Sequence, residues 1–237
     1  MERISGSQLR IKRMLYYLSS LFLLASVFLF YVRRRRSSQA PRPIGREIDL
    51  HRDPSAVLEA LRTSRRIRVM GCSSSGKSTL AANIAEARGV RYIEGDELMW
   101  LPGWRLRDPE EVRAMLHTAT SEDAWTLAGN TRDAYALSRT ELIIFLHLSF
   151  WMTMRRGIVR TFRRCWYHEM CCNGNFETFS FVLGNIFTES IPAWIWKTHA
   201  GFPARVEKLS QECPHIRIIV LRSAEKVAWI SNNMLHK

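Results

Sequence analysis

Residues 71–79 read Gly-Cys-Ser-Ser-Ser-Gly-Lys-Ser-Thr and fit the pattern G-x-x-x-x-G-K-[ST] at every fixed position. Backbone N–H groups in such a loop converge on phosphate oxygens, and the following helix adds the positive end of its dipole. Lys77 would reach the β- and γ-phosphates, while the Ser78 hydroxyl would ligate Mg²⁺. We therefore expect ATP and Mg²⁺ as cofactors. The candidate cofactor-binding residues are Gly71, Cys72, Ser73, Ser74, Ser75, Gly76, Lys77, Ser78 and Thr79.

A second group of chemically active residues is a run of arginines late in the chain. Arg156, Arg160, Arg163 and Arg164 fall on one side of a predicted helix, and apolar residues are expected to pack on the other. The apolar set is Trp151, Met154, Ile158, Phe162 and Cys165. Guanidinium groups bind phosphate bidentately and stabilise charge that develops in phosphoryl transfer. Arg156, Arg160 and Arg163 are therefore candidate catalytic residues beside Lys77. The alternative is a basic surface helix that faces a membrane or nucleic acid.

Asp96 is the candidate acid. It follows a predicted strand, where α/β folds place ligand-binding residues. The carboxylate would order Mg²⁺ through water or accept a proton from a substrate hydroxyl, so Asp96 is both a catalytic and a metal-site candidate. The alternative is a turn aspartate with a structural role.

Alternating strands and helices must position these residues. Apolar runs predict strands near residues 67–70, 90–93, 125–128, 142–148 and 216–221, and a glycine-capped helix follows the phosphate loop. Asp108-Pro109 is a strong helix start, and Ser223 is a plausible N-cap for the last helix. The pattern predicts an α/β fold of the P-loop NTPase, nucleotide-kinase-like type, with a parallel sheet of about five strands flanked by helices. Residues 150–212 are expected to form a helical insert that acts as a lid.

The N-terminal region carries most of the chain's basic charge. Of a net charge of +13, residues 1–46 hold nine Arg, one Lys and one Glu, a net +9, so the remainder supplies only +4. Residues 14–32 are apolar apart from three serines and would span about 28 Å as a helix. The expected organisation is a basic segment at 1–13, a transmembrane helix at 14–32, a basic linker and short helix at 33–65, and the P-loop domain at 66–237.

The stronger arginine cluster after residue 32 favours a single-pass membrane protein whose P-loop domain faces the cytosol. An organelle membrane is an alternative, and so is a cleaved targeting peptide. Five cysteines do not suggest a disulfide framework. Cys165, His168, Cys171 and Cys172 have spacings that could bring them together around a metal ion, but no second ligand pair follows, so reduced thiols are the favoured interpretation.

These motifs together resemble the adenylate-kinase-like P-loop proteins known as DNA topology modulation proteins, which are chiefly bacterial. The likeness covers roughly residues 66–230. The motifs that carry it are the phosphate loop, Glu94 to Trp100 with Pro102-Gly103-Trp104, Trp125 to Asn130 with Arg132, Ile143 to Leu146, Arg155 to Arg164, Asn173-Gly174-Asn175 before Glu177, and Trp194 to His199. The resemblance implies a nucleotide-kinase-like fold with an arginine-bearing lid, and the family's name implies no chemistry.

The chain departs from this family where metal chemistry is expected. Ala128 stands where the family has an aspartate before a Gly-Asn pair, and that acid is the Mg²⁺-organising group that the resemblance implies. His147 likewise replaces a family aspartate, and serines replace glycines in the loop. The leading hypothesis is an ATP-dependent small-molecule kinase with an unknown phosphoryl acceptor. The alternatives are a catalytically weak nucleotide-binding switch or scaffold, and a nucleic-acid-binding module.

Overall fold

A parallel sheet of six strands forms the centre of the described structure. The computed structural model describes residues 47–184 and 190–235. Its strands are β1 (Glu47–Ile48), β2 (Arg66–Gly71), β3 (Arg91–Glu94), β4 (Trp100–Leu101), β5 (Arg105–Leu106), β6 (Trp125–Ala128), β7 (Leu142–Leu146), β8 (Met170–Cys171), β9 (Asn175–Phe176) and β10 (Arg217–Leu221). The large sheet has the order β1-β10-β7-β2-β6-β3, with every pair parallel. The predicted α/β fold with a parallel sheet is confirmed, and β1 adds a sixth strand at one edge.

Helices cover both faces of this sheet. They are α1 (Pro54–Thr63), α2 (Lys77–Arg88), α3 (Gly95–Met99), α4 (Pro109–Ala119), α5 (Ala134–Arg139), α6 (Phe150–Tyr167), α7 (Phe179–Gly184), α8 (Ile191–Thr198), α9 (Phe202–Glu212) and α10 (Ala224–Leu235), with a 3₁₀ turn at His199–Gly201. The predicted caps are confirmed: Asp108 accepts from the N–H groups of Glu110 and Glu111, and Gly89 ends α2 with a φ of 61°. Strands that alternate with helices around a parallel sheet define an α/β fold.

Alternation along the strands divides the core into two layers. On one face, Val69 and Ile144 pack with residues of α1, α2 and α10, among them Leu61 and Leu80. On the other face, Trp125 and its neighbours pack against α4 and α5. Nearly unbroken apolar strands are what a parallel sheet covered on both sides requires.

Because all six strands are parallel, their carboxyl ends share one edge of the sheet. Gly71, Glu94, Ala128 and Leu146 end β2, β3, β6 and β7 there. β2 lies between β6 and β7, so chain order reverses about the strand that leads into the phosphate loop. Ligands of open α/β sheets bind at such a switch point.

The membrane localisation predicted from the sequence is corrected by the structure. The helix expected at 14–32 lies outside the described residues. Among the residues that are described, no helix is both long enough and apolar enough to cross a bilayer.

Candidate active site

The loop at residues 71–79 joins β2 to α2 through a tight backbone path. A Cβ on Gly71 would lie 2.7 Å from Ser75 Oγ and 2.9 Å from the Leu146 carbonyl oxygen, so only glycine fits there. Ser74 and Gly76 have φ values of 61° and 97°, in the left-handed region. The Ser75 N–H donates to the Cys72 carbonyl at 3.2 Å. These turns bring the start of α2 directly to the end of the central strand.

Several polar groups of this loop are buried without a protein partner. The hydroxyls of Ser74 and Ser75 are buried and make no hydrogen bond among the described residues. Lys77 is 7 % exposed, and no hydrogen bond or ion pair engages its ammonium within residues 47–184 and 190–235. Unpaired buried donors of this kind are costly unless a ligand satisfies them. The chemistry of this set, one cation and two hydroxyls at a helix N-terminus, fits phosphate.

The remaining residues of the loop take different positions. Cys72 is buried with Sγ 3.8 Å from Thr198 Oγ1, and burial raises the pKa of its thiol. Thr79 is exposed, while Ser73 and Ser78 are half-buried. The loop therefore has one side that packs into the protein and another whose donors are unpaired.

Asn130, which follows β6, clamps the beginning of the loop. Its Oδ1 accepts from the Gly71 N–H at 3.1 Å, and its Nδ2 donates to the Gly71 carbonyl at 2.9 Å. Gly71 thus has both backbone groups held by one side chain. In the sequence, Asn130 belongs to the motif from Trp125 to Asn130, and no local pattern assigns it a role. Its contact with Gly71 depends on β6 lying beside β2.

The clamp is itself supported by a buried arginine. Arg68 is fully buried in β2, and its guanidinium donates to the Gly129 carbonyl at 3.4 Å and to the carbonyl and hydroxyl of Thr131, the latter at 2.8 Å. Burial lowers the pKa of Arg68 to about 10, and the charge of Asp133 opposes that shift. Arg68 therefore stays protonated at neutral pH and fixes the segment that carries Asn130.

On the far side of the loop, two carboxylates lie at the end of β3. Glu94 is in register with Ala128 on the neighbouring strand, so their side chains share one face of the sheet. Glu94 Oε2 accepts from the Tyr92 hydroxyl at 2.5 Å, and that hydroxyl also lies beside the Ser78 hydroxyl. Burial, together with Glu94, raises the pKa of Tyr92 and keeps it a donor. Glu94 is a site residue that the sequence analysis missed.

Asp96 lies two residues after Glu94, in the first turn of α3. Its backbone N–H donates to Glu94 Oε1 at 3.5 Å, so Glu94 also caps this helix. The Asp96 carboxylate is half-buried and interacts electrostatically with Arg160 of α6 and with the Cys172 thiol. Asp96 therefore faces the arginine helix rather than the sheet.

The four arginines of α6 that the sequence analysis groups together divide into two pairs. Arg156 Nη1 donates to the Ser75 carbonyl at 3.3 Å, and Arg160 faces Asp96 with its Nε buried and unpaired among the described residues. Arg163 and Arg164 instead form ion pairs with Glu169 at 3.0 Å and Glu177 at 2.9 Å. Burial lowers the pKa of Arg160, and the nearby charge of Arg164 adds to this. Arg156 and Arg160 together bridge the loop and Asp96, whereas Arg163 points to a surface acid.

Gly157 allows α6 to approach the loop this closely. A Cβ there would lie 2.6 Å from Ile195 Cδ1 of α8 and 3.4 Å from Ser74 Oγ. The buried face of α6 consists of Thr153, Met154, Gly157, Thr161 and Cys165. The predicted apolar face is therefore partly wrong, since Trp151, Ile158 and Phe162 are exposed. Small residues were needed where the helix meets the loop.

Two hairpins close the side of the site next to Asp96. Strands β4 and β5 form one antiparallel hairpin, and β8 and β9 form the other. Asn175 joins them: its Nδ2 donates to the Leu101 carbonyl at 3.0 Å, and its Oδ1 accepts from the Trp104 N–H at 2.7 Å. Asn173 Nδ2 adds bonds to the carbonyls of Glu97 at 2.5 Å and Trp100 at 2.7 Å. The insert is thus docked on α3 through two asparagine side chains.

Metal binding by the cysteine group has no support in the described structure. Within the parts of the chain that are described, no set of three or more His, Cys, Asp or Glu side chains is arranged to hold a metal ion. All five cysteines are free thiols.

Comparison with known proteins adds little to this picture. No protein-family model matches the sequence, and no curated protein matches it. Among solved structures, a gluconokinase from Sinorhizobium meliloti 1021 matches with a TM-score of 0.41 and 22% identity, over 71% of this chain and 88% of that chain. A match this loose transfers no residue role to this chain. None of these comparisons bears on DNA topology modulation, and that resemblance stays an expectation of the sequence.

Proposed function

We propose that the chain is an ATP- and Mg²⁺-dependent phosphotransferase of the small-molecule kinase type. The observation that carries the proposal is the convergence of unpaired donors on residues 71–79. Lys77 and the hydroxyls of Ser74 and Ser75 have no protein partner within the described part of the chain, and Arg156 reaches the same loop from α6. A triphosphate supplies the acceptors that these groups lack.

The cations of the site would act on the transferred phosphoryl group. Lys77 and the loop N–H groups hold the phosphate chain, while Arg156 and Arg160 stabilise the charge that develops between loop and acceptor. Fixed donors in a partly buried site need little reorganisation during the reaction. Arg163, from the predicted catalytic set, is the weaker candidate because Glu169 already neutralises it.

The residues that would hold Mg²⁺ are Ser78, through its hydroxyl, with Glu94 and Asp96 orienting the water ligands. When bound, the ion neutralises charge on the β- and γ-phosphates. A carboxylate at position 94 supports this assignment, because it lies on the same sheet face as Ala128, one strand away. We infer that Glu94 does the work of the aspartate that Ala128 replaces.

Asp96 would receive the proton of the acceptor. A carboxylate within hydrogen-bond reach of a substrate hydroxyl serves as a general base. Asp96 faces Arg160, so an acceptor bound between them would lie with its hydroxyl toward the phosphoryl group held by Lys77 and Arg156. The acceptor is therefore expected to be a small hydroxyl compound, enclosed by the docked hairpins.

The test is a transfer assay with the full chain, Mg²⁺ and ATP labelled in the γ-phosphate. The acceptor panel contains nucleosides, nucleotides, sugars, sugar acids and other hydroxylated metabolites. We expect labelled product with at least one class, abolished by Asp96→Asn and unaffected by Asp123→Asn, which changes an exposed loop residue. Saturable ATP binding without transfer of the labelled phosphoryl group, either to an acceptor or to water, would contradict a kinase function.

That contrary result would support the second candidate, a nucleotide-binding switch or scaffold. The observation that favours it is Ala128, a fully buried residue without a carboxylate at the end of β6. A large gain in turnover from Ala128→Asp alone would identify a degenerate enzyme. No gain is expected if Glu94 already supplies the acid, since two carboxylates in register on neighbouring strands repel each other.

Nucleic-acid binding through α6 is the least favoured candidate. Ion pairs with Glu169 and Glu177 neutralise two of the four arginines that would form its surface. Salt-dependent binding of DNA or RNA that persists in Lys77→Ala and disappears when Arg156, Arg160 and Arg163 are neutralised would revive it.

A further inference from the structure

Two adjacent cysteines occupy the turn that docks the insert on the rest of the site. Cys171 ends β8, and Cys172 begins the turn to β9. The thiol of Cys171 donates to the Asn175 carbonyl at 3.3 Å. The Cys172 carbonyl accepts from Asn175 Nδ2 at 2.6 Å. Asn175 is therefore held by both cysteines, and its other contacts are the ones that bind the β4–β5 hairpin.

The backbone of this turn is strained in its reduced form. Cys172 and Asn173 have φ values of 23° and 56°, a region that side-chain-bearing residues rarely adopt. The asparagine bonds to Glu97, Trp100, Leu101 and Trp104 stabilise that conformation. Docking of the insert and geometry of the cysteine pair are thus coupled.

The two thiols differ in their surroundings. Cys171 is buried and Cys172 is half-buried. A hydrogen bond from the Cys172 thiol, together with the charge of Arg164, holds the pKa of Cys171 below its ordinary value even though burial opposes this shift. The pKa of Cys172 is raised, because its thiol donates to Cys171 and because it is partly buried beside Asp96. Cys171 is consequently the cysteine that loses its thiol proton more readily, and Cys172 is the adjacent thiol. Burial raises the pKa of the nearby Cys165 to about 11, so Cys165 is a poor nucleophile.

We propose that Cys171 and Cys172 are a site of reversible oxidation by hydroperoxides, and that the resulting disulfide releases the β8–β9 hairpin from α3 and the β4–β5 hairpin. Thiolate character beside arginines is what makes a cysteine reactive toward peroxide. The adjacent thiol then resolves the oxidised sulfur before further oxidation.

The chemistry balances with hydrogen peroxide as the oxidant. Cys171 first loses its thiol proton to solvent. Its sulfur then attacks one peroxide oxygen, an S–O bond forms as the O–O bond breaks, and the departing hydroxide takes a proton from solvent to become water. The Cys172 sulfur then attacks the sulfenic sulfur, the S–S bond forms as the S–O bond breaks, and the hydroxide leaves with the Cys172 thiol proton as a second water. Two thiols are oxidised by two electrons, and one peroxide is reduced to two waters.

Ring closure must disturb the turn. Consecutive Cα atoms lie about 3.8 Å apart, whereas disulfides usually join Cα atoms about 4.4–6.8 Å apart. The 171–172 link therefore has to twist, which displaces the Cys172 carbonyl from Asn175. Cys171 at the same time loses the hydrogen that it donates to the Asn175 carbonyl. Asn175 loses two supports that hold it toward Leu101 and Trp104.

The experiment treats the full chain with hydrogen peroxide, alkylates the remaining thiols and maps them by peptide mass spectrometry. Tryptophan fluorescence is recorded in parallel, because the Trp104 indole stacks on Phe181 and donates to the Phe176 carbonyl at 3.0 Å. We expect the peptide with residues 171–172 to lose two hydrogens. We also expect a red shift in emission that dithiothreitol reverses and that Trp104→Phe abolishes.

Variants separate this proposal from non-specific oxidation. The loss of two hydrogens and the shift in tryptophan emission are both expected to disappear in Cys171→Ser and in Cys172→Ser. Both are expected to persist in Cys165→Ser and in Cys213→Ser. A disulfide between Cys171 and Cys165, oxidation at residue 171 no faster than at Cys213, or a 171–172 disulfide without a change in Trp104 emission would overturn the proposal. This proposal does not depend on the proposed phosphotransferase function. Both readouts are obtained without nucleotide, so failure of one claim is distinguishable from failure of the other.

Discussion

The two halves of the proposed site, a phosphate half at residues 71–79 and an acceptor half around Asp96, are held in place by different means. Residues 71–79 emerge from the central strand, and Asn130 fixes their first backbone groups. The acceptor half, built from Asp96, α6 and the two hairpins, depends on side-chain bonds between segments more than 70 residues apart. In the proposed function, a buried sheet positions the loop that would hold the phosphates, and side-chain bonds between distant segments position the groups that would receive the acceptor.

The largest effect should come from removing the acid of the acceptor half. Asp96→Asn is expected to lower phosphoryl transfer roughly 10²–10⁴-fold, because the acceptor loses its general base, while ATP affinity changes far less. Transfer rates and ATP binding are measured on the same preparation, with Asp123→Asn as the matched control. Equal losses of transfer rate and ATP affinity in Asp96→Asn would show that the two halves of the site do not act separately.

The next effect tests whether Glu94 serves the phosphate half. Glu94→Gln is expected to weaken Mg²⁺-dependent ATP binding by about 10–100-fold, the range for residues that orient metal ligands. The double variant Glu94→Gln with Ala128→Asp should recover part of that loss, because the carboxylate returns on the same sheet face one strand away. Calorimetric titration with and without Mg²⁺ measures both. Unchanged Mg²⁺ dependence in Glu94→Gln would refute the assignment.

Loosening the loop clamp should affect the phosphate half by a smaller factor. Asn130→Ala leaves the N–H and carbonyl of Gly71 without their partner, at a cost of about 1–3 kcal/mol for each group that stays buried and unpaired. We expect ATP affinity to fall by about tenfold, which is about 1.4 kcal/mol, and urea unfolding to shift to lower concentration. Asn233→Ala is the control, since that exposed side chain donates to the Trp229 carbonyl of its own helical turn. Wild-type affinity in Asn130→Ala would mean that the strand alone fixes the loop.

The smallest effect on nucleotide binding is expected from the hairpin contact. Asn175→Ala removes the bonds to Leu101 and Trp104 and should change Trp104 emission. ATP affinity should stay within about twofold, because sites without shared partners behave additively. Fluorescence and ATP titration of one sample check this. A large loss of ATP affinity would mean that the hairpins also support the loop.

The two halves also differ in how far the sequence predicts them. The loop, its flanking strand and helix, and the five main strands follow from local patterns, because each is specified by neighbouring residues. β1 was not predicted, since two residues carry no periodic signal. Glu94 was missed because its relation to Ala128 depends on β6 lying beside β3, and strand order is not encoded locally.

The arginine helix shows the same limit. The sequence groups Arg156, Arg160, Arg163 and Arg164 as equivalent, but Glu169 and Glu177 from the following hairpin neutralise the last two. Trp151 and Phe162 are exposed because a different face of the helix packs against the loop and α8. Gly157 lies on that face, and its lack of a side chain permits the close contact. Packing of this kind depends on shape, which helical periodicity alone does not predict.

The central claim is that the loop at residues 71–79 binds MgATP through Lys77, and one titration tests it most directly. ATP is titrated in the presence of Mg²⁺ into the wild-type chain, Lys77→Ala, and Lys208→Ala as the control for a surface lysine paired with Glu212. We expect saturable binding by the wild type and by Lys208→Ala. In Lys77→Ala we expect ATP affinity to be lower by at least about tenfold, because a charge-assisted contact worth roughly 1.5–3 kcal/mol is lost. Equal affinity in Lys77→Ala, or no binding by the wild type, would contradict it.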